Sequence, residues 1–248
     1  MADPVTLSLS IVSHGQGLLV SNLLDDLCCP AWHAGISFEV ILTLNTPENE
    51  KWLEGPFPFQ ITVIRNEHPK GFGANHNAAF RNARGALFAV VNPDVRLASF
   101  RVADMIEALE SDQAGVCGPL VKAPDGSVED SARRFPTLAS LIERKLLRKR
   151  TPDYKPSTIP IQVDWLAGMF LLFSSETYRD IGGFDEEYFM YLEDVEICRH
   201  LNRRGQTALW VTSTAIIHDA SRASRRSLRH LRWHVSSLFR YFSASPRR

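Results

Sequence analysis

Leu87-Phe-Ala-Val-Val-Asn-Pro-Asp94 is an uninterrupted apolar run that ends abruptly in a polar turn. A run without polar alternation is buried on both faces, as in a parallel strand covered by helices on either side. Working outward, Asn75 to Arg84 reads as a helix ended by Gly85, and Phe100 to Glu110 as an amphipathic helix on the other side. Further upstream, Leu7 to Ser13 (LSLSIVS), Phe38 to Leu44 (FEVILTL) and Ile61 to Ile64 read as strands. Between the first two of these, Leu19, Leu23 and Leu27 recur at helical spacing within Leu18 to Leu27. Strands alternating with helices predict an α/β fold with a mostly parallel central sheet flanked by helices. Ligands in such sheets sit beyond the carboxyl ends of the strands.

After Gly118 the rhythm changes. Val121 to Val128 reads as a hairpin around Pro124-Asp125-Gly126, and Glu143 to Pro160 as a loop, basic and then rich in proline and serine. Order returns at Val163, with a helix over Val195 to Arg204 capped by Gly205, a strand over Thr207 to Ile217, and a basic amphipathic helix over Leu228 to Tyr241. The organisation expected is one catalytic domain over residues 4–219 and a helical extension over residues 220–248.

The composition fits a globular enzyme: 248 residues, 44% hydrophobic and 23% charged. Formal charge balances at 28 basic against 28 acidic residues, but unevenly. From Ala220 onward there are eight arginines and no acid, so the preceding part carries a net −8. That asymmetry predicts either a solvated helix face or a tail that meets something anionic. Cys28, Cys29, Cys117 and Cys198 have no C-x-x-C spacing, and the N-terminus lacks a signal pattern, which together read as a cytoplasmic protein. The longest apolar run, Trp165 to Phe173, is too short to span a bilayer.

Polar residues follow four of the strands: Ser13-His14, Asn45, Asn66 and Asn92/Asp94. Asn92-Pro-Asp94 is a turn by itself; on a rigid strand end, its carboxylate also suits a hard divalent cation that clamps a diphosphate. Tyr188-Phe-Met-Tyr-Leu-Glu-Asp-Val-Glu196 presses Glu193 and Asp194 against large apolar residues, which raises a carboxyl pKa toward that of a general base. Asp194 reads equally as an N-cap of the helix that follows. His218 ends the last strand and is either structural or a further metal or diphosphate contact. Gly71-Phe-Gly-Ala-Asn-His-Asn77 runs into a helix whose amides favour anions. It is neither a dinucleotide fingerprint nor a P-loop.

In order, LSIVSHG, RNEHPKGFGANHNAAF, FAVVNPDV, GPLVKAPDGSVEDSARRFPT, DWLAGMFLLFSSETYRDIGGFDEEYFMYLEDVEICRHLNRRG and His218 resemble family 2 glycosyltransferases of the Rossmann-like GT-A fold. Within that family the chain is most similar to bacterial rhamnosyltransferase-like enzymes of surface polysaccharide synthesis, over roughly Leu7 to Ser224. The resemblance implies Asp194 as catalytic base with Glu193 beside it. It implies Asp94 in the D-x-D position, with His218, for a Mg²⁺ or Mn²⁺ ion. Ser13, Asn45, Asn66, Gly71, Phe72, Gly73, Asn75, Asn92 and Asp94 would bind the nucleoside-diphosphate sugar donor. Arg133, Arg134, Trp165, Gly168 and Tyr191 would meet a saccharide or polyprenyl-diphosphate-linked acceptor. The best donor match is dTDP-rhamnose; the alternatives are a UDP-hexose donor, or a non-catalytic sugar-nucleotide-binding protein on the same fold.

Two positions depart from the family pattern. Asn92 replaces the first acid of D-x-D, and Leu44-Asn45 stands where an Asp-Asn pair usually reads the pyrimidine. The basic helix, with Arg222 to Arg232, Trp233, Leu238, Phe239 and Tyr241, suits peripheral contact with the inner face of a membrane. Its apolar end near Leu238 to Phe242 also suits pairing with a second copy as a homodimer. Nothing in the body interleaves aromatic and basic residues, so no nucleic acid is expected as a partner.

Overall fold

The computed structural model describes residues 5–111, 113–140, 152–219 and 228–243. Its strands are β1 (Leu7–Ser13), β2 (Phe38–Leu44), β3 (Gln60–Arg65), β4 (Leu87–Val91), β5 (Val95–Ser99), β6 (Ala114–Lys122), β7 (Ala132–Arg133), β8 (Ile161–Val163), β9 (Trp165–Leu166), β10 (Phe170–Ser174) and β11 (Thr207–His218). The helices are α1 (Gly17–Leu27), α2 (Phe72–Phe80), α3 (Val102–Leu109), α4 (Ser175–Asp180), α5 (Glu193–Arg203) and α6 (Leu228–Ser243).

A nine-stranded sheet runs β3-β2-β1-β4-β10-β6-β11-β5, with β8 beside β11. It is parallel through β3, β2, β1 and β4, where the apolar runs of the sequence lie. Beyond β4, β10 runs antiparallel to both its neighbours, while β6 and β11 are parallel to each other. β7 and β9 form a separate two-stranded ribbon.

The alternation in LSLSIVS decides which layer each residue joins. Leu7, Leu9 and Ile11 bury themselves in one core with Val20, Leu23, Leu24 and Leu27 of α1. Each such leucine contributes about 1.5–3 kcal/mol when fully buried. Ser8 and Ser10 face the other layer, where Ser8 donates to Glu39 (2.7 Å) and Ser10 bonds His76 Nδ1 (2.7 Å). That second layer holds Phe88, Phe173, Tyr178, Phe184, Tyr188 and the apolar face of α5.

Helix α2 starts earlier and stops earlier than its periodicity predicts. Gly71 is its extended N-cap, so the helix opens at Phe72 rather than Asn75. It stops at Phe80 because later amides are taken elsewhere: Arg84 N–H donates to Glu39 (2.8 Å), and Gly85 N–H to Ser8 Oγ (2.9 Å). Strand β6 (AGVCGPLVK) carries two glycines and a proline, which mask it in the sequence. Pro119 has no N–H for the ladder. The register of β11 shifts at that point, from Val211 opposite Pro119 to Ala215 opposite Leu120.

The hairpin after β6 is as expected, with Ala123 N–H bonded to Ser127 O (2.8 Å) and Lys122 bridged to Val128. Of the loop expected over 143–160, residues 143–151 lie outside the described residues, as do 220–227 of the arginine-rich tail. Helix α6 packs on the body: Tyr241, 5% exposed, joins the second core, and Arg199 lies 4.0 Å from its ring centroid. Among the described residues no helix is long and apolar enough to cross a membrane.

Candidate active site

The crevice is assembled from the ends of β1, β2, β3 and β4, the start of α2, the β9–β10 turn and the start of α5. Three groups of residues meet there.

The first is an asparagine network. Asn45 follows β2 and Asn66 follows β3. Asn45 Oδ1 accepts from Asn66 Nδ2 (2.9 Å) and from Lys70 N–H (2.8 Å), and its amide donates to Lys70 O (3.0 Å). Asn66 donates in turn to Asn75 Oδ1 (2.7 Å), and Asn75 donates to Gly71 O (3.0 Å). These side chains therefore fix the Lys70–Gly71 loop at the mouth of α2. Ser13 Oγ accepts from Gln16 N–H (3.1 Å) and shapes the turn into α1. His76 is buried beneath this network, and burial pushes its imidazole down to about 3, so it is neutral.

The second group surrounds Asp94. Asp94 Oδ2 lies 3.3 Å from His218 Nε2, and His218 Nδ1 lies 2.8 Å from Glu129 Oε2. Burial alone would lower the His218 pKa. Its bonds to Asp94 and then Glu129 outweigh that and raise it to about 9, which makes it an imidazolium between two carboxylates at neutral pH. Both ring nitrogens are engaged in this arrangement. Asp94 Oδ1 is buried and has no hydrogen-bond partner. Glu129 was missed in the sequence; it arrives through the β6 hairpin from 89 residues away, and no local pattern marks it.

The third group surrounds Asp194. Helix α5 begins at Glu193, and its N-cap is Leu192, which makes no side-chain cap. Asp194 is therefore not the N-cap; it lies one residue inside the helix. Its Oδ1 accepts from Val195 N–H (2.9 Å) and its Oδ2 from Gly168 N–H (3.2 Å). Burial raises its pKa, partly offset by those two amides and by the charge of Arg133. It nevertheless keeps a partly open face. Glu193 is 6% exposed, and burial first, then the Asp194 charge, raise its carboxyl well above the usual range. Its Oε2 has no partner.

Trp165 and Arg133 sit opposite each other on β9 and β7, with the guanidinium 5.4 Å from the indole centroid. Arg133 is also tied to Asp130 (3.0 Å), whereas the Arg134 side chain is exposed. Tyr191 and Leu192 have φ of 74° and 66°, left-handed values rare for residues with side chains. Tyr191 is held by His230 of α6 through its hydroxyl (2.8 Å), and its ring stacks on His234.

One short turn joins the last two groups. In Ala167-Gly168-Met169, the Gly168 N–H reaches Asp194, while Met169 O accepts from Asn92 N–H (2.9 Å). Phe72 connects this turn to the first group: a Cβ on Gly168 would sit 3.2 Å from the Phe72 ring, and Phe72 N–H donates to Phe189 O (2.9 Å). A recess of about 600 Å³ beside β3 is lined by Leu53, Phe57, Ile61 and Val63 among others, none of which is an expected site residue.

A mixed α/β sheet thus sets carboxylates at strand and helix ends along one crevice. The Glycosyl transferase family 2 model matches residues 43–173, more than half of the chain, which belongs to that family. The chain is 33% identical over 163 residues to the N-acetylglucosaminyl-diphospho-decaprenol L-rhamnosyltransferase of Mycobacterium tuberculosis (strain CDC 1551 / Oshkosh), a match covering 60% of this chain and 52% of the relative. It thus spans about half the length of that relative. It is 30% identical to Rhamnosyltransferase WbbL of Escherichia coli (strain K12), covering 70% of each chain. Among solved structures it is similar to GalNAc-T7 with UDP, GalNAc and Mn²⁺, at TM-score 0.64 and 16% identity, covering 88% of this chain and 43% of the other. That likeness shows the GT-A fold.

Proposed function

We propose that the chain is an inverting glycosyltransferase. It moves a sugar from a nucleoside-diphosphate donor to a saccharide or polyprenyl-diphosphate-linked acceptor in cell-surface polysaccharide synthesis, working at the cytoplasmic face of the membrane. The observation that carries this reading is the Ala167–Met169 turn, which is bonded to Asp194 on one side and to the Asn92–Asp94 turn on the other. A base for the acceptor and a seat for the leaving group are thereby set across one crevice.

Asp194 takes the proton of the acceptor hydroxyl. Burial makes its carboxylate a stronger base than an exposed aspartate, and each of its oxygens keeps a lone pair beyond the amide it accepts. The freed oxygen forms the new bond to the anomeric carbon as the bond from that carbon to the diphosphate oxygen breaks, with inversion. Burial and then the Asp194 charge raise the Glu193 carboxyl well above the usual range, which disfavours a second negative charge beside Asp194.

Ser13, Asn45, Asn66, Gly71, Phe72, Gly73, Asn75 and Asn92 line the donor side. The asparagines act there through the loop they hold. Asp94 would hold a divalent cation, and its unpartnered Oδ1 fits that role. The expected metal contact by His218 is not supported: as an imidazolium bonded to Asp94 and Glu129 it has no free lone pair, and it instead positions the Asp94 carboxylate. Among the described residues no cluster of three or more His, Cys, Asp or Glu is placed for a metal, so diphosphate and water would complete the shell. Bound there, Mg²⁺ or Mn²⁺ would offset charge on the departing diphosphate. Arg133, Arg134, Trp165 and Gly168 are the residues we assign to the acceptor side; Tyr191, bonded to His230 and stacked on His234, acts there through the loop it fixes.

The donor we assign is dTDP-rhamnose, supported by the two relatives named for rhamnose transfer. A thermal-shift panel of dTDP-rhamnose, UDP-glucose, UDP-galactose and UDP-N-acetylglucosamine, each with and without Mn²⁺, tests it, together with a transfer assay on a polyprenyl-diphosphate N-acetylglucosamine acceptor. Stabilisation by dTDP-rhamnose and formation of a disaccharide product are expected. Stabilisation by a UDP-hexose alone overturns the donor, and tight donor binding with neither transfer nor hydrolysis overturns the enzyme.

A further inference from the structure

Helix α6 has two apolar faces, and only one is used by the fold. The inner face grips the loop in front of Asp194: Trp233 stacks on Phe189 (centroids 4.8 Å), His230 holds the Tyr191 hydroxyl, and Ser237 Oγ donates to Met190 O (2.9 Å). Tyr241 anchors the far end in the core. Of the residues expected to face a membrane, Trp233 and Tyr241 are therefore turned into the protein. This corrects the sequence reading of the helix.

The outer face carries a different set. Leu231, Val235, Phe239 and Phe242 are 61%, 57%, 74% and 40% exposed. At about 100° per residue, positions i, i+4, i+8 and i+11 fall within about 80° of arc, a single continuous stripe. Isolated exposed apolar residues need no explanation, but a four-residue stripe on one helix does. Arg232 is exposed along its flank. By sequence, residues 220–248 contain eight arginines and no acid; of the described ones, Arg240 is paired with Asp185 and Glu187 of the body and Arg229 lies over Trp233.

We propose that this face docks on an anionic bilayer surface, with Leu231, Val235 and Phe239 inserted at the level of the acyl–headgroup boundary and the arginines at the phosphates. Charge complementarity selects this occupant. A like-charged second copy meeting the same face would bring two arginine-rich helices together, whereas an anionic lipid surface is attracted by each of them. Geometry gives docking a consequence. The opposite face of the same helix holds Phe189, Met190 and Tyr191, so docking sets the loop that leads into Asp194 one helix diameter, about 10–12 Å, from the lipid surface. A diphosphate-linked sugar headgroup projects over that distance. This last step rests on the transfer reaction proposed above; the docking itself does not.

The test is co-sedimentation of the full chain with vesicles of phosphatidylcholine alone and of phosphatidylcholine with phosphatidylglycerol, without donor or acceptor. Wild-type protein is expected to bind the anionic vesicles and to be released by salt. The double variant Val235→Ser/Phe239→Ser, at two mostly exposed positions, should lose at least tenfold in partition while keeping its melting temperature. Arg232→Gln should lose about fivefold. Equal binding of wild type and double variant to anionic vesicles overturns the proposal, as does equal wild-type binding to neutral and anionic vesicles. A dimer in sedimentation velocity that the double variant abolishes, with no vesicle binding by wild type, assigns the stripe to a second copy and also overturns it. Because the readout needs no turnover, a failed transfer assay leaves this result standing.

Discussion

Replacing Gly71 with alanine perturbs the point where the donor-side loop meets the loop that leads to Asp194. Gly71 has φ −65° and ψ 164°, open to any residue, so no backbone strain enters. A Cβ there would lie 2.7 Å from the carbonyl oxygen of Phe189 and 2.8 Å from its Cα. Both are main-chain atoms, so no rotamer change relieves the clash. Ordinary contact begins at 3.4 Å, and the loops must part by about 0.7 Å. The bond from Phe72 N–H to Phe189 O (2.9 Å) is strained by the same movement. Overpacking of this kind costs about 1–3 kcal/mol, and a chain of this size loses about 2–4 °C per kcal/mol. The displacement passes along Met190, Tyr191 and Leu192 to Asp194. A misplacement approaching 1 Å reduces turnover by up to about a hundredfold. Differential scanning fluorimetry and steady-state transfer kinetics should therefore show a fall of several degrees and a loss of about ten- to a hundredfold in kcat/KM. Gly55→Ala is the control, since its Cβ would meet Phe57 at an ordinary 3.8 Å. A Gly71→Ala protein that melts within a degree of wild type and turns over normally would refute the claim that direct backbone packing holds these loops in register.

Asp194→Asn should lower kcat by about 10²–10⁴ while donor affinity by calorimetry stays within a few-fold; near-normal transfer would sink the base assignment. Glu193→Gln should melt higher than wild type at pH 8. The folded carboxyl is raised above its usual 4.5, so its contribution to stability is full below that value and is lost as pH rises through the folded pKa. The advantage of the variant should vanish toward pH 4, and a pH-independent difference would refute it. Asp94→Asn should abolish the Mn²⁺-dependent part of the thermal shift given by a nucleoside diphosphate; an undiminished Mn²⁺ effect would place the cation elsewhere.

The parallel half of the fold was readable because its strands are short apolar runs closed by turn residues. Leu7–Ser13, Phe38–Leu44 and Leu87–Val91 fall within the bounds their patterns predict. The mixed half was not. Strand β6 hides behind Gly115, Gly118 and Pro119, and β5 (VRLAS) begins immediately after the Asn-Pro-Asp turn. The gathering of Asn45, Asn66 and Asn75 follows from their strand-end positions, but their engagement with one another and with Lys70 does not. Glu129 lies in the segment GPLVKAPDGSVEDSARRFPT that carries the family resemblance, but nothing local gives it a role, since only the hairpin geometry carries its carboxylate to His218. Helix α6 misled for a physical reason. Its inner face carries Trp233 and Tyr241 and its outer face Leu231, Val235, Phe239 and Phe242, so periodicity marks both as apolar and cannot say which one the protein covers.

Several of the local rules that this chain breaks meet in the loop before α5 and in the crevice beside it. Two consecutive side-chain-bearing residues, Tyr191 and Leu192, sit at positive φ, at a cost of about 1–2 kcal/mol each. Glu193 and Asp94 each leave a buried oxygen without a partner. None of these is demanded by the sheet, whose parallel half is built from ordinary strands. They persist because neighbouring contacts over-determine the backbone: Phe72 fixes Phe189 from the α2 side, while Trp233, His230, His234 and Ser237 fix residues 189–191 from the α6 side. The left-handed pair reverses the chain so that α5 opens with its carboxylates against Gly168, where a helical approach would have turned them away. Acids in a first helical turn are favoured by the helix dipole and opposed by burial, and here burial wins at both Glu193 and Asp194. That outcome costs stability and, in the base role proposed for Asp194, yields a stronger base, which is the pattern expected of a site selected for chemistry rather than for folding. It also explains why the C-terminal helix belongs with the site: without its grip on residues 189–191, the loop has no reason to hold the conformation that presents Asp194.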